Sequence, residues 1–149
     1  MTGSTRTGQA VATEAAKSLK RVGLELGGKA PNLIFEDADV DRAVRGALFA
    51  AFIGQGQTCV AGSRVLVHRS LLEEVSEKMR TAVDAIRLGD PRDPETQMGP
   101  VITPAAAERI AGFVERARAE GAEVLSDNRS IESLEPPLQR AGYHPPTLI

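Results

Sequence analysis

Two residues carry the chemistry this sequence can offer, a lone cysteine and a flanked glutamate. Cys59, the only cysteine of the chain, lies in residues 54–64, GQGQTCVAGSR. Glycines and polar residues surround it, whereas a cysteine buried for packing sits among large apolar side chains. A glycine-rich connection lets the backbone approach a ligand closely, and loops on a rigid scaffold commonly carry chemistry. The reacting form is the thiolate. A free cysteine is only a few per cent thiolate at pH 7, so local backbone dipoles or a neighbouring cation must favour it. On this stretch alone, a nucleophile and a small residue in a tight connection are equally supported. The second stretch is residues 24–31, LELGGKAP, with Glu25 between Leu24 and Leu26 in a strand-like segment that ends at Gly27 and Gly28. A carboxylate among leucines is costly to bury. Taken singly, such a glutamate reads as the exposed face of a strand.

The elements that must position these residues follow from periodicity. Ser4 or Thr5 is an N-cap candidate for a helix through about Arg21, with Val11, Ala15, Ala16 and Leu19 on one face. Residues 22–26 and 32–35 read as strands. Asp37 or Asp39 caps a helix through about Phe52, with Val40, Ala43, Val44, Ala47, Leu48 and Ala51 spaced three and four apart. The Cys59 loop then feeds a strand over 64–68. Ser70 with Glu73 makes a capping box for a helix to about Ile86, whose apolar face is Leu72, Val75, Met79, Val83 and Ile86. Residues 88–100 form a loop. Thr103 caps the next helix, with Pro104 at its first position, and Ile110, Phe113, Val114 and Ala117 form its buried face. Gly121 ends it. A short strand fits 123–125, and residues 126–142 are polar and irregular. Strands alternating with helices argue for an α/β fold around a mainly parallel sheet.

A chain of 149 residues suits one domain or a piece of a larger one. Its 42% hydrophobic and 26% charged content is that of a globular protein. The net charge of −2 gives no reason to expect nucleic acid or an anionic membrane as partner. No apolar run approaches the ~18 residues of a membrane span. The opening, MTGSTRTGQA, lacks the apolar core of a signal peptide. One cysteine excludes an internal disulfide framework and fits a reducing, cytoplasmic compartment. His68 and His144 lie far apart, and no metal site is expected.

Together, LELGGKAP and GQGQTCVAGSR resemble the paired motifs of the NAD(P)-dependent aldehyde dehydrogenase superfamily, matching over their whole length. The resemblance implies that Cys59 is the nucleophile and Glu25 the general base. MTGSTRTG is similar to the family's FTGST segment, with Met1 in place of the Phe. It implies that Gly3 and Ser4 touch the pyrophosphate of NAD or NADP, and that Leu26 and Gly27 are further cofactor contacts. Residues 88–100, LGDPRDPETQMGP, resemble the family's GDP…GP connection. The implied fold is a three-layer α/β arrangement around a mainly parallel sheet. Residues 1–27 would end the cofactor-binding domain and residues 28–149 would begin an incomplete catalytic domain. The implied reaction is oxidation of an aldehyde to the free acid. Family members that pass the acyl group to coenzyme A generally lack this Glu, so the resemblance implies hydrolysis through Glu25. Lys29 reads as structural. The resemblance also implies a homodimer or homotetramer, the usual assemblies of relatives.

The family's oxyanion Asn upstream and its EEIFGP-type segment downstream are not in this chain, so a piece of about a third of a subunit, inactive by itself, is expected. Two other readings stand beside this one. One is a thiol hydrolase or acyltransferase with no redox step, for which His68 and His144 are the only candidate bases. The other is an inactive structural relative.

Overall fold

The computed structural model describes residues 1–127, 130–139 and 142–149, leaving aside the side chains of residues 127 and 130. Its helices are α1 (Thr5–Ala16), α2 (Val40–Phe52), α3 (Leu72–Asp84), α4 (Pro104–Ala119) and α5 (Pro136–Gln139). Its strands are β1 (Thr2–Gly3), β2 (Glu25–Leu26), β3 (Pro31–Ile34), β4 (Arg64–Val67), β5 (Ser126–Asp127) and β6 (Thr147–Leu148). The strands pair as β1-β2, β3-β4 and β5-β6, the first two parallel and the last antiparallel.

The β3-α2-β4-α3 segment holds the main core. Asp39 caps α2 by accepting from the Arg42 N–H at 3.0 Å. Val44 and Ala47 are buried on the inner face of α2, and Val75, Met79 and Val83 on that of α3. Ile34 from β3 joins Val44, Ala47, Val75 and Met79 in one cluster, flanked by Val65 and Val67 of β4. Strand alternation sends the intervening side chains the other way. Leu33 and Leu66, register partners across the β3-β4 ladder, stay 56% and 48% exposed. A second cluster gathers Leu88, Met98, Leu134 and Tyr143. The Tyr143 hydroxyl donates to the Gly89 carbonyl at 2.6 Å.

Several sequence expectations shift. Helix α1 stops at Ala16, short of Arg21, because the chain turns there and Leu19 takes a left-handed φ of 56° and is 93% exposed. The expected strand over 22–26 shrinks to Glu25–Leu26. Ser70 does not cap α3. The chain enters that helix through a single 3-10 turn, Arg69–Leu71, and the His68 side chain accepts from the Ser70 N–H. Phe113 is 56% exposed, while Ala107 and Val114 are the buried residues of α4. The late strand falls at Ser126–Asp127 in place of 123–125. Within the polar stretch 126–142, Leu134 is buried in the second cluster and Ser126 is also buried, while residues 128, 129, 140 and 141 lie outside the described residues. Thr103 caps α4 through the Ala106 N–H, with Pro104 at its start, as the spacing predicts. Among the described residues, no helix is long and apolar enough to cross a membrane. Among the same residues, no cluster of His, Cys, Asp or Glu could hold a metal.

Candidate active site

The cysteine turn is built from its own backbone. Leaving α2, the chain takes three successive left-handed residues, Gly54 (φ 58°), Gln55 (φ 57°) and Gly56 (φ 71°). Glycine accepts this conformation freely, whereas a side chain such as that of Gln55 is strained there by about 1–2 kcal/mol. Three bonds hold the strained run. The Gln57 N–H donates to the Gly54 carbonyl at 3.0 Å, the Gln57 side-chain amide donates to the same oxygen at 3.3 Å, and the Thr58 hydroxyl donates to the Ile53 carbonyl at 3.1 Å. On its other side Gln57 Oε1 accepts from the Ile102 N–H at 2.9 Å, which ties the loop to the segment before α4.

A reverse turn follows, closed by the Ala61 N–H on the Thr58 carbonyl at 3.1 Å, and Cys59 sits in it with its thiol exposed. Among the described residues, the Cys59 N–H has no partner. Gly62 then lies so close to α2 that its N–H reaches the Ala50 carbonyl at 3.0 Å, and a Cβ there would stand 3.2 Å from that of Ala50. The outgoing strand β4 starts at Arg64.

Glu25 lies on β2, opposite Thr2, and its N–H donates to the Met1 carbonyl at 2.9 Å. It is exposed, so the burial that its leucine flanks could have imposed is absent here. Among the described residues, its carboxylate has no partner. The four candidate cofactor residues gather around the same ladder. Gly3 pairs in register with Leu26, Ser4 directly follows Gly3 and caps α1, and Gly27 directly follows Leu26. Ser4 Oγ accepts from the Thr7 N–H at 3.2 Å, and the first turn of α1 carries no acidic residue.

Glu25 therefore sits on the β1-β2 ladder and Cys59 in the turn before β4, and no hydrogen bond or ion pair among the described residues joins them directly. Two bonds join their segments. Arg64 Nε donates to the Lys29 carbonyl at 2.8 Å, and the Arg64 N–H donates to the Ala30 carbonyl at 3.3 Å. Lys29 enters this arrangement through its backbone. Neither histidine serves the thiol. His68 Nδ1 meets Ser70, its Nε2 lies 3.7 Å from Glu36, and His144 Nδ1 lies 2.7 Å from the Pro145 carbonyl.

Gln57 and Arg64 are the residues that periodicity and residue type pass over. Both stand inside the Cys59 motif, and that position within five residues of the thiol was the available signal.

Comparison with known proteins bears on the whole chain. The model of the aldehyde dehydrogenase family matches residues 1–149. The 4-trimethylaminobutyraldehyde dehydrogenase of Oryzias latipes is 41% identical over 99% of the chain, which spans 29% of that protein. A betaine aldehyde dehydrogenase of Cereibacter sphaeroides is 42% identical over 84% of the chain, which matches 26% of its length. Among solved structures, the NAD+ complex of an aldehyde dehydrogenase from Bacillus cereus superposes with a TM-score of 0.89 at 38% identity. It covers 98% of this chain, which spans 28% of that one. The chain is thus much shorter than the proteins it resembles, yet the match runs through both motifs and every element between them. By sequence and by fold, it belongs to the aldehyde dehydrogenase family.

Proposed function

We propose that this chain supplies the nucleophile and the water-activating base of an NAD(P)-dependent aldehyde dehydrogenase that releases a free carboxylic acid. The observation that carries the reading is an exposed thiol in a turn whose N–H has no partner among the described residues, in a chain that also presents an exposed carboxylate, likewise without a partner among them, on the ladder of Gly3.

The Cys59 thiolate adds to the carbonyl carbon of the aldehyde, forming a C–S bond and leaving negative charge on oxygen. The free Cys59 N–H is a donor for that oxygen. The C=O bond re-forms as a hydride leaves the carbon with its electron pair, giving a thioester on Cys59. The nicotinamide, when bound, supplies the hydride acceptor. Glu25 takes a proton from water, and the water oxygen attacks the thioester carbon. The C–S bond breaks, the thiolate is restored and the acid departs.

Gly3, Ser4, Leu26 and Gly27 are assigned to the cofactor. The fit rests on α1. Among the described residues, its Thr5 and Arg6 N–H groups have no partner, and an uncapped pair of donors at a helix N-terminus suits a diphosphate. Leu26 commits its side chain to Gly8 of α1, and the space beside Gly27 is open. The proposed domain boundary follows Gly27, a reading supported by the described hydrogen bonds of residues 1–27, which close within that segment. An aldehyde is the substrate, the assembly a homodimer or homotetramer, and the compartment the cytoplasm, where a free thiol stays reduced.

Rapid kinetics on the full-length protein carrying this chain test the reading. Cys59→Ser is expected to lower aldehyde-dependent NAD(P)H formation by about 10³-fold or more. Retention of over about a tenth of the activity removes Cys59 from the role. Glu25→Gln is expected to leave a burst of NAD(P)H followed by a slow steady state. A slow first turnover without a burst counts against Glu25.

A further inference from the structure

We propose that Arg64 is a positioning residue for the Glu25 segment, holding it against the strand that leaves the Cys59 turn. The inference rests on the assignment of Glu25 as the base. Between Glu25 and Lys29 the chain runs through Gly27 and Gly28, both exposed and with open space where a Cβ would be. A glycine pair without packing is the most pliable kind of backbone. Its far end is fastened by Arg64, whose Nε reaches the Lys29 carbonyl and whose N–H reaches the carbonyl of Ala30. The guanidinium bond is charge-assisted and comes from a planar, pre-organised donor. The thiol's own turn does not depend on it. Thr58, Gln57 and Gly62 hold that turn through Ile53, Gly54, Ile102 and Ala50. Removing the Arg64 side chain therefore loosens the Lys29 end of the base's segment, where only the Arg64 N–H bond to Ala30 then remains, and leaves the nucleophile's turn tied.

The experiment compares burst and steady-state phases of NAD(P)H formation in full-length wild type, Arg64→Met, Arg64→Lys and Glu25→Gln. Arg64→Met keeps the aliphatic stem and loses the donors. It is expected to keep the burst rate within about twofold and to slow the steady state about tenfold, the scale of one charge-assisted hydrogen bond. Arg64→Lys restores a donor and is expected to recover a steady-state rate within about threefold of wild type. Equal slowing of both phases, or no change in either, overturns the proposal. If Arg64→Met does not fold, Arg64→Gln carries the same readout, being polar and neutral at an exposed position. Glu25→Gln separates the two kinds of failure. Slow turnover in Glu25→Gln with wild-type behaviour in Arg64→Met removes Arg64 alone. Wild-type phases in Glu25→Gln remove both assignments.

Discussion

Replacing Gln57 by Leu cuts both ties that the Gln57 side chain makes while preserving side-chain bulk. The bond from the Ile102 N–H at 2.9 Å contributes about 1 kcal/mol, in the usual range for a neutral pair. The bond to the Gly54 carbonyl contributes a few tenths at 3.3 Å, because the same oxygen still accepts from the Gln57 N–H. Both lie at exposed positions, so water takes over the freed groups and no buried polar atom is stranded. The loop thus loses about 1–2 kcal/mol, a factor of about 5–30 in its preference for the ordered turn. Stopped-flow measurement of the NAD(P)H burst in the full-length protein reads this as a burst rate reduced by no more than about 30-fold, far short of the loss expected for Cys59→Ser. A burst at the wild-type rate refutes the view that Gln57 holds the turn. A loss equal to that of Cys59→Ser refutes it in the other direction, by giving Gln57 a part in the chemistry.

Two further outcomes follow from groups outside the site. Arg92 binds Asp90 through both its side chain and its N–H and holds that carboxyl down at about 2. A depressed carboxylate stabilises the fold above its unfolded value of about 3.9 and loses that contribution as pH falls toward 2. The melting-temperature gap between wild type and Asp90→Asn is therefore expected to shrink between pH 4 and pH 2, and a constant gap overturns the assignment. Gly142 has a φ of 86°, and a Cβ there would stand 3.1 Å from the backbone of Thr103 and Pro104. Gly142→Ala is expected to destabilise by more than about 1 kcal/mol in a denaturant titration, and an unchanged midpoint would contradict the strain argument.

Local rules served where the partners are local. Asp39 and Thr103 cap their helices through N–H groups three residues on, and that spacing is visible in the sequence. They failed where a distant or unexpected partner won. Nothing in the spacing of Ser70 and Glu73 tells that His68 will take the Ser70 N–H. No glycine marks the left-handed turn at Leu19 that ends α1 early. Phe113 shows that an apolar stripe records what a helix can bury, while its exposure depends on what else is packed there. Within the candidate site, residue type and flanks left Cys59 and Glu25 undecided one by one, and only the two motifs taken together made them candidates. Gln57 and Arg64 bond the Ile102 N–H and the Lys29 carbonyl, and those contacts exist only once the chain is folded.

The parallel β3-β4 pair also sets an order of events as the chain folds. Parallel neighbours need a crossover, so β4 finds β3 only with α2 in place between them. Residues 31–84 hold all five buried members of the main cluster, and synthesis from the N-terminus completes that segment first. The tie from Gln57 to Ile102 spans 45 residues and that from Tyr143 to Gly89 spans 54, so both close later and across longer loops. The Cys59 turn is therefore shaped by its own backbone before the tether from Gln57 to Ile102 has been made.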